Sequence, residues 1–141
     1  MMTPDQLVNE LLRGLDGPHA DEHTSAAASL TAESVRYLNY ATGAHAGDGL
    51  TDPATVCRIA GELAETAARL PQVCGQLTAW LEAEHAAGRL ADDYGFPVAS
   101  LVGHARDDLE AAAHRARELG GALTLAQSAI ANVHATGGEG Q

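Results

Sequence analysis

The stretch VASLVGHARDDLEAAAHRARELGGALTLAQSAIANV, from Val98 to Val133, carries apolar residues at alternating spacings of three and four. Written as heptads, its d positions are Val98, Ala105, Ala112, Leu119, Ala126 and Val133, and its a positions are Val102, Leu109, Ala116, Leu123 and Ile130. A helix presents this spacing as one narrow apolar stripe, which must be buried against another helix. The stretch therefore predicts a long helix that packs along its whole length.

The composition favours an all-α fold. Of the 141 residues, 45% are hydrophobic but only 4% are aromatic, and alanine supplies much of the hydrophobic share. Good helix formers dominate and β-branched residues are sparse, which is typical of helical proteins rather than of sheets. A chain of this length is long enough to bury a core and is most simply a single domain.

The charge balance argues against a nucleic-acid partner. The formal net charge is −11, and all eight basic residues are arginines that are spread along the chain. Nucleic-acid-binding proteins usually carry a basic stripe that neutralises phosphates, and this sequence has none. We interpret the acidic residues as a solvated surface.

The sequence also predicts a cytoplasmic protein with no membrane partner. The segment Met1-Met2-Thr3-Pro4-Asp5 has no basic region and no long apolar run after it, so no secretory signal is expected. No run approaches the roughly 18 apolar residues that span a bilayer. Cys57 and Cys74 lack CxxC spacing and are interpreted as reduced thiols at or near the core.

Two shorter helices are expected before the long ones. The first runs from about Pro4 to Leu15, and a polar loop from His19 to His23 follows it. The second runs from about Ser25 to Ala44 and contains an alanine-rich start. Glycine and proline punctuate the segments between these helices.

The third predicted helix begins at the capping sequence Thr51-Asp52-Pro53 and ends near Ala87. Its apolar residues keep the same alternating spacing of three and four before and after Pro71, so one kinked helix is expected rather than two. Ile59, Val73 and Trp80 widen its apolar face, which should therefore contact two neighbours. The seam residues are Val56, Ala60, Leu63, Ala67, Leu70, Cys74, Leu77 and Leu81.

The fourth predicted helix opens at Pro97 and runs to about His134, with Gly120-Gly121 as a point where it bends or breaks. The predicted architecture is an elongated antiparallel bundle of about four helices, of which the two long ones form a hairpin. Residues 1–135 are expected to form one helical-bundle domain, and residues 136–141 a disordered, glycine-rich tail.

Two segments carry a resemblance to known proteins. Residues 35–43, VRYLNYATG, and residues 70–77, LPQVCGQL, occur in a chain that is rich in alanine and uses only arginine as its base. In these features the chain resembles small, uncharacterised helical proteins of high-GC actinobacteria, over about residues 25–135. The resemblance implies a helical fold, and that family contributes no assigned activity or functional residues.

The best candidate metal ligands are His19 and His23, four residues apart and separated by acidic residues. Such a set suits one zinc or nickel ion, although the segment also fits a solvated polar linker. A di-metal bundle site is disfavoured. Glu82 and His85 form one Glu-x-x-His motif, but the second copy fails because Glu110 and His114 are four residues apart.

Two further patterns are incomplete, so no catalytic residue and no cofactor are predicted. Arg13 and His19 have a spacing found in some helical ribonucleases, but Gly17-Pro18 interrupts it. Glu62-x-x-Glu65 resembles the first half of the metal motif of all-α nucleotide pyrophosphatases, and the second half is missing.

The candidate interface residues are Tyr37 and Tyr40, with Arg36 beside them on the second predicted helix. Tyrosine and arginine are enriched at protein interfaces. An alternative is that either tyrosine caps the bundle with its hydroxyl in solvent.

The sequence is therefore interpreted as a non-enzymatic helical protein that acts by protein–protein interaction, as a homodimer or as an adaptor for another helical protein. The alternative from another class is a bundle that binds a small molecule or a metal. A third interpretation is a secreted helical-hairpin effector, but Asp93-Tyr94-Gly95 stands where those proteins carry Trp-x-Gly.

Overall fold

The computed structural model describes Gln6, residues 19–43 and residues 49–136, and this part of the chain contains helices and no strand. The helices are α1 (Asp21–Ala41), α2 (Pro53–Ala86) and α3 (Val98–Ile130). The all-α prediction is confirmed, with three helices in the described residues rather than about four. The predicted first helix, Pro4–Leu15, lies outside the described residues except for Gln6, which is helical.

The chain divides into two compact units, residues 1–50 and residues 51–141. None of the described helices is both long enough and apolar enough to cross a membrane. The single domain over residues 1–135 stays a prediction, and the predicted tail lies outside the described residues beyond Thr136.

Helix α1 begins four residues earlier than predicted, so the expected loop from His19 to His23 is wrong in part. His19 precedes the helix, whereas His23 lies in its first turn. Asp21 and Glu22 occupy this turn, where their charge is favourable beside the free N–H groups of a helix N-terminus. The backbone N–H and the hydroxyl of Thr24 both donate to the carbonyl oxygen of Ala20, which holds the turn.

Helix α2 has the start that its sequence predicts. The Asp52 side chain accepts a hydrogen bond of 2.9 Å from the N–H of Ala54, and Pro53 occupies the first helical position. The helix continues through Pro71 as expected. A proline inside a helix costs about 3 kcal/mol through the missing N–H donor and the clash of its ring, so packing against α3 must offset this cost.

Helix α2 ends in a Schellman motif. Gly88 has a φ of 70°, and its N–H donates to the carbonyl oxygen of His85 at 2.9 Å. The N–H of Arg89 donates to the carbonyl oxygen of Glu84 at 3.0 Å, which completes the pair of bonds. Only glycine adopts this φ at no steric cost, so Gly88 sets the point where the chain leaves α2.

Replacing Gly88 by alanine is expected to lower the free energy of unfolding by about 1 kcal/mol, because an L residue is strained at positive φ. The matched control is Gly75→Ala. Gly75 is helical and has no atom within 4 Å of the added methyl, so its replacement is expected to raise stability by about 1 kcal/mol. Urea unfolding followed by circular dichroism measures both, and equal effects at the two sites would contradict the motif.

The α2–α3 connection is organised by Asp92. Its carboxylate oxygen Oδ2 accepts hydrogen bonds from the N–H groups of Tyr94 and Phe96, at 2.9 and 3.0 Å. Gly95, with a φ of 76°, completes the turn. Asp92 is half-buried while Tyr94 and Phe96 are exposed, so the turn is held by polar bonds rather than by its aromatic rings.

Helices α2 and α3 form an antiparallel hairpin. The Sγ of Cys57 lies 3.7 Å from the carbonyl oxygen of Gln127, and Arg106 Nη1 lies 3.9 Å from Glu82 Oε1. Between these points Gly120 faces Ala64 and Ala67. Residue numbers thus rise along α2 as they fall along α3, which fixes the direction and register of the pair.

Helix α3 is continuous through Gly120-Gly121, so of the predicted bend or break the break is absent. It ends at Ile130, four residues before the predicted His134. In the register of the hairpin, Ile130 lies close to the level of the α2 start at Pro53. Beyond it there is no longer an α2 surface on which further helical turns of α3 would pack.

The packing face of α2 differs from the predicted seam. Small residues face α3, and Ala64 and Ala67 are buried, the latter to 2% exposure. Val56, Leu70 and Leu77 of the predicted seam are exposed instead. Small side chains let two helices approach closely, whereas leucines on this face would hold the backbones apart. The α2 residues that are half-buried or buried along this face are Cys57, Ala60, Gly61, Ala64, Ala67, Pro71, Cys74, Thr78 and Leu81.

The packing face of α3 also differs from the predicted one in the second half of the helix, where the residue after each d position takes the place of d. The buried and half-buried residues are Val98, Val102, Gly103, Ala105, Leu109, Ala113, Ala116, Gly120, Leu123, Gln127 and Ile130. All five predicted a positions are among them, but Ala112, Leu119 and Ala126 at predicted d positions are exposed. A helix with 3.6 residues per turn drifts by about 20° per heptad, so a strict seven-residue repeat leaves the contact unless the helix supercoils.

Candidate functional site

The hairpin has two sides of different character. Each residue rotates a helix by about 100°, so positions two apart point in nearly opposite directions. Gly75 and Ala79 of α2 line an open groove with Glu110 and Arg117 of α3. Leu77, midway between Gly75 and Ala79, must therefore point to the other side of the hairpin.

That other side is apolar. We call the residues of α2 that form it the apolar stripe. Trp80 and Leu77 are 59% and 51% exposed, although both are large hydrophobic side chains. Helix α3 adds Leu119, which is 53% exposed and lies two residues from the groove residues Arg117 and Gly121. The stripe residues are Val56, Ile59, Leu63, Thr66, Leu70, Val73, Leu77 and Trp80.

The opposite side holds an open groove formed by two adjoining cavities of about 320 and 350 Å³. Pro71 and Arg117 line both cavities, so they mark the middle of the groove. The first cavity is lined by Ala64, Glu65, Ala68, Pro71, Arg117, Gly120, Gly121 and Thr124. The second is lined by Pro71, Cys74, Gly75, Thr78, Ala79, Glu82, Arg106, Leu109, Glu110, Ala113 and Arg117.

The charges of the groove are mixed and largely solvated. Arg106 lies between Glu82 across the hairpin, at 3.9 Å, and Asp107 beside it, at 3.1 Å. These side chains are about half exposed or more, so water screens their interactions. The hydroxyls of Thr78 and Thr124 donate to carbonyl oxygens of their own helices. The groove thus offers scattered polar contacts rather than a nucleophile with a base beside it.

A strong ion pair lies at the loop end of the hairpin. The Nε and Nη2 atoms of Arg89 donate to the two carboxylate oxygens of Glu84 at 2.7 and 2.8 Å. This bidentate bond holds the pKa of Glu84 below its ordinary value and raises the pKa of Arg89. Because the pair joins the last turn of α2 to the residue after Gly88, it reinforces the helix end.

The predicted interface residues lie together on α1. Tyr37 and Tyr40 are 70% and 69% exposed, and as residues three apart they share one helix face. Arg36 Nη1 donates to Glu33 Oε2 at 3.0 Å within the same helix. The two tyrosines therefore present aromatic rings to solvent, while the charge of Arg36 is paired locally.

The two predicted metal ligands differ in their surroundings. His19 is exposed, and His23 is half-buried with an Nδ1 atom that has no hydrogen-bond partner among the described residues. Within the described ranges no group of three or more histidine, cysteine, aspartate or glutamate side chains is placed to hold a metal ion. Cys57 and Cys74 are free thiols, both half-buried along α2.

The residues of the incomplete metal motifs are exposed to solvent. Glu82, Glu110 and His114 are exposed, and His114 pairs with Glu118 of its own helix at 3.4 Å. Glu65 is likewise exposed and lies 3.5 Å from Arg69. None of these carboxylates faces the interior, where a bundle metal centre requires them.

Sequence reasoning missed the groove and the full extent of the apolar stripe. The signal for the stripe was present, because Ile59, Val73 and Trp80 were recognised as widening the apolar face of this helix. The groove has no comparable sequence signal. Its residues come from two helices, and only the register of the hairpin brings Arg106 beside Glu82.

We found no match to this chain among protein-family models, curated proteins or solved structures. The function must therefore be argued from its own residues.

Proposed function

We propose that this protein is a non-enzymatic helical protein that acts through protein–protein interaction, as a homodimer or as an adaptor for another helical protein. The observation that carries the proposal is the apolar stripe. Five of its residues are large hydrophobic side chains that remain exposed: Val56, Leu70, Val73, Leu77 and Trp80. Contiguous apolar patches of this kind mark surfaces that another molecule covers.

The shape of the stripe suits a helical partner. Its residues recur at spacings of three and four over a straight length of about 36 Å, at 1.5 Å per residue. This is the pattern that a second helix recognises by inserting its side chains between the rows. Tyr37 and Tyr40 on α1 offer a further exposed aromatic surface to a partner.

A small-molecule-binding bundle is the second candidate, and the groove around Pro71 and Arg117 is the observation in its favour. The groove is open along its length and its charges are solvated, whereas small-molecule sites are usually enclosed and largely apolar. Protein–protein interaction is therefore the better supported function. A metal at His19 and His23, a cytoplasmic location and a bundle that includes all the helices stay predictions.

Native mass spectrometry of the protein purified from its own cells tests the proposal. We expect the chain in a complex with itself or with another protein. The variant Leu77→Gln is expected to lose that complex, because it makes a large, half-exposed position of the apolar stripe polar. The matched control Ala79→Gln, two residues away on the groove side, is expected to keep it.

Two results would count against the proposal. A single chain of 14.5 kDa with no associated protein would contradict interaction as the function. A single chain that carries the mass of a small molecule, lost in Ala79→Gln and kept in Leu77→Gln, would favour the groove as a ligand site.

A further inference from the structure

The apolar stripe is complementary to itself when two copies run antiparallel. Around Ala68, stripe residues fall into pairs at equal distances on either side: 56 with 80, 59 with 77, 63 with 73, and 66 with 70. A two-fold axis at Ala68 would place Val56 on Trp80 of the second copy, and every other stripe residue likewise on a stripe residue. The hydroxyl of Thr66 already donates to the Glu62 carbonyl oxygen at 2.9 Å, so it can enter this contact without an unmet bond.

This register is the one that uses the whole stripe. An axis displaced by half a heptad leaves either Trp80 or Val56 without an apolar counterpart. The exposure of the outer residues matters here, because Trp80 is the most exposed large hydrophobic residue of the stripe and gains most from being covered. Leu119 of α3 lies beside Gly120, which faces Ala67, so it adds apolar surface close to the same axis.

The area is that of a stable dimer. The stripe is about 36 Å long, and two helices side by side are about 20 Å wide, so each copy can cover about 700 Å². Stable complexes bury about 800 Å² on each partner. No charged residue lies within the stripe itself.

We propose that the apolar side of the hairpin binds a second copy of this chain, with the two α2 helices antiparallel about a two-fold axis at Ala68. This inference rests on the proposed function and names its partner. It also predicts which residues meet, so it can fail while interaction with another protein stands.

Distances between spin labels on the two copies of the full-length protein test the register. Cys57 and Cys74 are first replaced by alanine, and one cysteine is then introduced as Gln72→Cys or, separately, as Ala79→Cys. Both positions are exposed and lie on the same α2 face, seven residues apart. The axis at Ala68 predicts separations along the helix of about 12 Å for position 72 and about 33 Å for position 79, at 1.5 Å per residue.

A short distance at position 72 and one longer by well over 10 Å at position 79 is the expected result. Equal distances at the two positions would show a parallel pair and overturn the proposal. A single chain at roughly 100 µM, well above a micromolar dissociation constant, would overturn it as well.

If the protein is a single chain at this concentration, quenching of Trp80 fluorescence by iodide separates self-association from binding of another protein. If Trp80 of the single chain is open to the quencher, the stripe is free and another protein can still bind it. If Trp80 is shielded, another segment of the same chain covers the stripe, and the proposed function loses its main support. The circular dichroism of each variant shows that the helices are intact.

Discussion

Replacing Gly120 by leucine is expected to lower the free energy of unfolding of the hairpin by at least about 3 kcal/mol, since overpacking of this kind costs 1–3 kcal/mol or more. Gly120 is buried where α3 packs against α2. A methyl group there would lie 3.6 Å from both the Ala64 carbonyl oxygen and the Ala67 Cβ, which is already van der Waals contact. The remaining atoms of leucine have no space unless the two helices separate.

The adjacent glycine is the control. A methyl group at Gly121 meets no atom within 4 Å, because this residue lines the open groove. Gly121→Leu is therefore expected to raise stability by about 1 kcal/mol through helix propensity. Gly120→Ala should fall close to the wild type, since its methyl group is in ordinary contact. Thermal unfolding followed at 222 nm measures all three, and equal stability of the two leucine variants would contradict the packing.

Replacing Leu70 by glutamate is expected to weaken self-association at least about 100-fold, which corresponds to about 3 kcal/mol. Leu70 lies two residues from the proposed axis, so each dimer would bury two new carboxylates near its centre. Each carboxylate loses water without gaining a partner, at a cost of about 1.5 kcal/mol or more. Sedimentation equilibrium over a range of concentrations measures the effect.

Gln72→Glu is the matched control for this experiment. It adds the same charge to the same helix, but on an exposed face away from the stripe. Its effect is limited to the general repulsion between two acidic chains, so a change of only a few-fold is expected. Comparable weakening by Leu70→Glu and Gln72→Glu would show that net charge, not the stripe, controls association.

The helices themselves were predictable because their signals are local. Asp52 followed by Pro53 marks the start of α2, and the helix starts there. The three–four spacing across Pro71 indicated one helix rather than two, and α2 is continuous. The sequence does not predict the α1 start at Asp21, because no side chain caps it and the acidic pair Asp21-Glu22 is equally typical of a polar loop.

The faces that meet were less predictable. Spacing identifies apolar positions, but on α2 two adjacent stripes both satisfy it, one of small residues and one of large ones. The contact uses the small residues, because Ala64 and Ala67 let Gly120 approach closely. Of the candidate site residues, the sequence placed Tyr37, Tyr40 and Arg36 on one helix correctly, and their role in an interface stays a prediction.

The sequence by itself determined that this chain is helical, where the long helices begin and end to within a few residues, and that α2 has more apolar surface than one partner needs. These properties depend on caps, glycines and periodicity within a single segment. The tertiary structure alone decided which stripe is buried and which is exposed, because that choice depends on the sizes of the residues that face each other across two helices. It also decided which residues line the groove, since Arg106 and Glu82 meet only in the antiparallel register of the hairpin.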